Sequence, residues 1–178
     1  MSFSSPDWFL EQARLGNMYH SCSAGAVTLS TVSTTCTGLA LSNPFGSTKK
    51  LVVAQIRFQP STAPAGAAVV GLAISPSVSQ TAVTHTTPMV IHNGIMTGSN
   101  VNIGSGRADA AATLPTTPVW LRPLGSVVAA SSITPAMYVD YTNGEIIIPP
   151  GAQLSLSYLT TAAVGIASVA WVEIPEST

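Results

Sequence analysis

The seven acidic residues are the first candidates for chemistry, because acid–base catalysis needs two carboxylates, or a carboxylate and a histidine, close together. Most of them lie near the two ends of the chain or stand alone. Only Asp140 and Glu145 are expected to face each other, across a hairpin that the pair Asn143-Gly144 predicts. We interpret these two as exposed edge charges that discourage unwanted strand pairing rather than as an active pair.

The histidines His20, His85 and His92 are the candidate metal ligands. The separation of His85 and His92 is an odd number of residues, which places them on opposite faces of a regular strand, so we expect no shared metal site. Arg107 and Asp109 are expected to form at most a local ion pair with a structural role. A Ser–His–acid triad stays open where serine is so abundant, although the G-x-S-x-G motif is absent. We predict no catalytic residue, no metal and no cofactor.

The composition points to assembly rather than to nucleic acid or membrane. Only 7% of the residues are charged, against about 25% in typical soluble domains. The net charge is −1 without a basic cluster, so a nucleic-acid partner is not expected, and no apolar run approaches the roughly 18 residues of a membrane span. A surface so poor in charge suits a protein that packs against copies of itself or against partners. The alternative is a secreted β-domain with a hydroxyl-rich surface.

The two cysteines, Cys22 and Cys36, are expected to be small buried residues rather than a disulfide or a zinc site. The N-terminal sequence MSFSSPDWF lacks the features of a signal peptide, so we expect synthesis in the cytoplasm, where disulfides are rare.

The elements that must position these residues are mostly strands. Residues 152–159 alternate apolar and polar side chains, as a half-buried strand does, and residues 145–148 form a short β-branched run before a Pro-Pro-Gly turn. Residues 164–174 are apolar on both faces, which predicts a central strand with a second covered surface and hints at self-association. Val169 and Trp171 in this strand are therefore the candidate oligomer interface. Trp120 and Trp171 lie in apolar strand runs and are expected in a core, although carbohydrate binding by exposed aromatics stays open.

Residues 1–16 contain the best helix candidate, with Ser5 as N-cap and Pro6 at its first position. A helix of about ten residues is too short to be stable alone, so its apolar side chains must dock on something. It docks either on its own domain or, as an arm, on a neighbouring subunit. The candidate partner-binding residues are Trp8, Phe9, Leu10 and Arg14.

The pattern as a whole predicts an all-β protein, an antiparallel jelly-roll-like β-sandwich with a short N-terminal helix or arm. Residues 1–18 would form the arm and residues 19–178 the sandwich, and another Greek-key sandwich or barrel is the alternative. Residues 76–118 have little periodicity, so they hold either short strands, with 84–92 as the best candidate, or a functional loop.

Several phrases carry a resemblance over nearly the whole chain: ARLGNMYH, TGLALSNPFGSTKKLVV, THTTPM, GRADAAATLPTTPVWLRPL and IIIPPGAQLSLSY with WVEIP. Together they resemble a family of tailed-bacteriophage virion structural proteins described as head-decoration, or capsid cement, proteins. The resemblance implies a β-sandwich that assembles as a homo-oligomer, expected to be a trimer, on an icosahedral shell. The implied partner is the major capsid protein, and the implied location is the outer surface of the head.

From this resemblance we expect a non-enzymatic protein that binds the outside of the assembled head and stabilises it. The first alternative is a receptor- or glycan-binding module of a head fibre or tail, with residues 76–118 as its recognition surface. A hydrolase is the more distant alternative.

Overall fold

The protein is an all-β sandwich in the computed structural model, which describes residues 6–95, 104–127 and 137–176. The described residues form one helix, α1 (Pro6–Arg14), and thirteen strands. The strands are β1 (Met18–Cys22), β2 (Val27–Thr28), β3 (Thr35–Ser42), β4 (Lys49–Thr62), β5 (Ala68–Ile74), β6 (Thr84–Pro88), β7 (Ile91–Asn93), β8 (Arg107–Thr113), β9 (Val119–Val127), β10 (Tyr138–Asp140), β11 (Ile147–Ile148), β12 (Gln153–Leu159) and β13 (Val164–Pro175). Within the described ranges, no helix is long and apolar enough to cross a membrane.

The strands pair antiparallel in two sheets whose order is that of a jelly roll. One sheet has the order β10-β4-β13-β1-β7, with β11 also on β4 and β2 also on β13. The other has the order β6-β8-β3-β12-β5-β9. The strand orders β1-β13-β4-β10 and β3-β12-β5-β9 together make the eight-stranded jelly roll, and β6 to β8 are additions to it. The predicted jelly-roll-like sandwich is confirmed.

The described part of the 76–118 segment widens both sheets on one flank. The predicted strand at residues 84–92 is two short strands: β6 joins the six-stranded sheet beside β8, and β7 joins the other sheet beside β1. The chain therefore crosses from one sheet to the other between Pro88 and Ile91. Of the two predictions for this segment, short strands are the one that the structure bears out.

The core lies between the two sheets, and Trp171 and Val169 belong to it. β13 is a central strand between β4 and β1, as its two apolar faces predicted. The side chain of Trp171 is 0% exposed and stacks on Tyr19 with ring centroids 5.9 Å apart. Val169 is buried in the same cluster. The prediction that Val169 and Trp171 form an oligomer interface is therefore wrong, because both fill the interior of their own subunit.

The protein's own helix covers one end of the second face of β13, around Val172. Trp8 is 6% exposed and packs with Val52 of β4 and Val172 of β13, and Phe9 packs beside it. Gly16, with φ +76°, ends the helix in the left-handed conformation that glycine adopts most easily. The helix thus docks in cis, so at this end of β13 the covering surface belongs to the same chain. The predicted N-cap, Ser5, lies outside the described residues.

The polar face of β12 is buried, contrary to the half-buried strand that its alternation predicts. Gln153, Ser155 and Ser157 are all buried. Gln153 Nε2 lies 3.5 Å from the backbone carbonyl of Thr116 in a neighbouring loop, whereas Ser155 Oγ has no hydrogen bond among the described residues. The alternation of β12 therefore does not show which of its faces is exposed.

Candidate interaction surfaces

A strip of exposed apolar side chains runs along one flank of the sandwich, and we call it the apolar edge. Its members are Val78, Val119, Trp120, Leu121, Ile147 and Leu159. Leu121 joins its two halves, because it lines one hollow with Val78 and Ile147 and a second hollow with Trp120 and Leu159. The second hollow is almost wholly apolar. The prediction that Trp120 lies in a core is wrong, since this side chain is 40% exposed.

Trp120 and Leu121 are exposed because β9 is the last strand of its sheet. An edge strand has a neighbouring strand on one side only, so its side chains are covered less than those of a central strand. Trp120 lies across Gly71 of β5, where an added Cβ would fall 2.9 Å from Cζ3 of the indole and 2.7 Å from the carbonyl oxygen of Arg122. A glycine at this position therefore lets β9 and its tryptophan approach β5 closely.

The charged groups nearest the apolar edge are paired with one another, one guanidinium with two carboxylates. Arg122 donates from Nε to Asp140 Oδ2 over 2.9 Å and from Nη1 to Glu145 Oε2 over 2.9 Å. These bonds tie β9 of one sheet to β10 and the following turn of the other. Of the two predicted edge charges, Glu145 is exposed and Asp140 is largely buried, and both accept from the same guanidinium.

His85 and Asp109 form the most catalysis-like pair. His85 Nδ1 lies 2.8 Å from Asp109 Oδ2, while Asp109 Oδ1 is buried without a hydrogen bond. Burial raises the pKa of the Asp109 carboxyl, and the hydrogen bond from His85 opposes that rise. In the part of the chain that the structure describes, no hydrogen bond joins a serine to His85, so the pair lacks the nucleophile of a triad. What it does is attach the exposed strand β6 to β8.

The predicted Arg107–Asp109 ion pair is not formed. Arg107 Nη1 instead donates to three successive backbone carbonyls, at 2.9 Å to Gly104, 3.2 Å to Ser105 and 3.0 Å to Gly106. This guanidinium therefore orders the turn that leads into β8.

Glu173 fastens the same turn to the sandwich. Its carboxylate is fully buried and accepts hydrogen bonds from the amides of Ser105 at 2.9 Å and Gly106 at 2.8 Å. Lys49 Nζ and Trp171 Nε1 also lie 3.3 Å from it. These donors offset the cost of burying the carboxylate, because its charge is both paired and hydrogen-bonded. The sequence analysis missed this role, because nothing in the spacing of residues 105 and 173 relates them.

His20 and His92 lie side by side on the outer face of the seven-stranded sheet, at opposing positions of β1 and β7. Arg57 lines the same groove. The pKa of His20 is lowered, first by burial and then by the positive charges of Arg57 and His92. His85 lies on β6 of the other sheet, whereas the sequence analysis placed His85 and His92 on opposite faces of one strand. Over the described ranges, no three His, Cys, Asp or Glu side chains form a group that could hold a metal ion.

Both cysteines are free thiols. Cys36 is buried, as predicted, and burial raises its pKa to about 11, so it stays protonated at neutral pH. Cys22 is exposed, contrary to the prediction.

The four predicted partner-binding residues differ in how exposed they are. Trp8 is buried on its own domain and Phe9 is partly buried, whereas Leu10 is 61% exposed and Arg14 is exposed. Only the last two remain accessible on α1.

No protein-family model, curated protein or solved structure matches this chain.

Proposed function

We propose that this protein is a capsid decoration, or cement, protein of a tailed bacteriophage, which binds the outside of the assembled head and stabilises it. The proposal rests on the family resemblance of the sequence and on one structural observation, the apolar edge of a body with few charges. It takes the major capsid protein as partner and a homo-oligomer, expected to be a trimer, as the binding form.

The apolar edge supports self-association. Large apolar side chains that lie together on the surface of a soluble protein mark interaction sites more often than not. Arg122 is engaged within its own chain by two carboxylates, so the positive charge beside the edge is not free, while the exposed Glu145 leaves a negative charge at its border.

Side-chain packing is the mode of contact that fits this edge. Pro123 lies within β9, and the register against β5 shifts on both sides of Leu72. Both features interrupt the backbone ladder that a continuous intersubunit sheet would need. We therefore assign the contact between copies to Trp120, Leu121 and Ile147 rather than to strand addition.

Contact with the shell is assigned to the helix face that stays accessible. Because Trp8 docks in cis, α1 is rigidly mounted on the sandwich and presents Leu10 and Arg14 outward. A protein that binds to the outer surface of a shell in this way needs no deep pocket. It stabilises the assembled shell by mass action, because it binds that state and not the dissociated subunits.

The test is to add the purified protein to heads that lack it and to measure their disruption temperature. We expect the wild type to sediment with the heads and to raise this temperature, and Leu10→Asp with Arg14→Glu to reduce both effects. Val90→Asp, which changes an exposed apolar residue on the other flank, is the control and should behave as wild type. Binding to host cells with no change in head stability would instead support the receptor- or glycan-binding alternative.

A further inference from the structure

The groove on the outer face of the seven-stranded sheet is formed by side chains from four neighbouring strands. His20 comes from β1, His92 from β7, Arg57 from β4 and Ser168 from β13. Strand register fixes their order, because His20 is opposite His92 on one side and Ser168 is opposite Arg57 on the other. The groove is open and has a volume of about 350 Å³. These residues therefore form one surface although they lie far apart in the sequence.

Each polar side chain that lines the groove can donate a hydrogen bond, Arg57 can only donate, and no carboxylate is among the described residues that line it. In the described structure, Arg57 forms no ion pair with an acidic side chain. Two more polar atoms, Gln55 Nε2 and His92 Nδ1, are buried here without a hydrogen bond. Leaving such atoms unpaired is unfavourable. Arg57 is thus the cation of the groove that no acidic side chain of the described structure pairs with.

We propose that this groove binds a carboxylate side chain, from Asp or Glu, of a partner protein. An ionised carboxylate only accepts hydrogen bonds and offers about four lone pairs, which matches a lining of donors. Arg57 can hold both of its oxygens, as guanidinium groups do. A sugar acid has the same charge, but the described lining has no Trp, Tyr or Phe ring on which a sugar could stack. The proposal goes beyond the proposed function and does not depend on it.

The histidines make this binding sensitive to pH. The charged and titratable groups that line the groove around His20 are Arg57 from β4, His92 from β7 and Cys22 from its own strand, while β13 contributes Ser168 and Ala170. Without a ligand, burial and, after it, the neighbouring Arg57 and His92 hold the pKa of His20 down. A bound carboxylate favours the protonated ring, so its binding should become tighter as the pH falls from 7 towards 5.

The test is an NMR titration of the full chain that follows the imidazole signals of His20 and His92. The probe is the blocked tripeptide acetyl-Gly-Glu-Gly-amide, compared with its Gln analogue and with glucuronate. We expect the Glu peptide to shift both imidazoles, with greater affinity at pH 5.5 than at pH 7.5, and the Gln analogue to shift neither. Arg57→Gln should weaken binding of the Glu peptide by roughly tenfold, as loss of one charge-assisted hydrogen bond would.

Lys50→Gln is the matched control, because it removes one positive charge at the other end of β4. It should leave binding unchanged, and the thermal midpoint of each variant checks that the fold is intact. Equal shifts with the Glu and Gln peptides, or no shift with either, would overturn the proposal. Tighter binding of glucuronate than of the Glu peptide would overturn the assignment to a protein partner. None of these results depends on whether the protein binds heads.

Discussion

Asp109 shows how one buried carboxyl couples the stability of the sandwich to pH. Burial raises its pKa in the folded protein above the ordinary value of 3.8. The folded state therefore holds this proton more strongly than the unfolded state does. The stabilisation that follows is complete below the unfolded pKa and is lost as the pH rises through the folded pKa.

We predict that Asp109→Asn gains stability relative to wild type between pH 3 and pH 7. The amide has the same shape, can still accept from His85 and has no charge to bury. Thermal unfolding followed by circular dichroism at several pH values measures the difference in Tm between the two proteins. A difference that stays constant over this range would show that ionisation of Asp109 does not oppose folding.

Other single residues mark the limit of what residue type alone reveals. Trp120 and Trp171 both lie in apolar runs, yet one is on the surface and the other in the core. The difference is that β9 is an edge strand and β13 a central one. Position within a sheet depends on which distant strands pair, and local spacing does not contain that information.

At the scale of elements, α1 is part of the folded body. Trp8 packs against Val52 and Val172, so its burial contributes to the stability of the whole sandwich. Leu10, two residues further along the same helix, is exposed. The helix therefore offers a buried and an exposed apolar residue for a direct comparison.

We predict that Trp8→Ala lowers the free energy of unfolding by about 3–5 kcal/mol, the usual cost of removing a large buried aromatic side chain. Leu10→Ala, the control, should change it by no more than about 0.5 kcal/mol. Chemical denaturation of both variants measures these values. An unaffected Trp8→Ala variant would mean that the helix does not dock on its own domain in solution.

The elements with a clear sequence pattern were predicted most closely, and those without one were predicted only in part or not at all. Residues 152–159 and 164–174 were predicted as strands, and β12 and β13 occupy nearly the same residues. β6 is exposed along its whole length and β8 is mostly alanine, so neither has an alternating pattern. The groove of His20 and His92 was equally hidden, since it depends on the register of β7 against β1.

At the scale of the molecule, the jelly-roll body has two unlike flanks. One is widened by β6, β7 and β8, and its turn is fastened by Glu173. The other ends at β9, β10 and β11 and carries the apolar edge. Only 7% of the residues are charged, so little elsewhere on the surface opposes association. We therefore propose that copies contact one another through the second flank.

The mass of the protein in solution tests most directly the claim that copies associate through the apolar edge. In sedimentation equilibrium we predict that the wild type has a mass of several times 18.2 kDa, with three times as the expected value, and that Leu121→Asp has the mass of one chain. Val90→Asp, which places the same charge at a residue that is 66% exposed on the opposite flank, should keep the mass of the wild type. A wild type that remains at 18.2 kDa at every concentration tested would contradict the account.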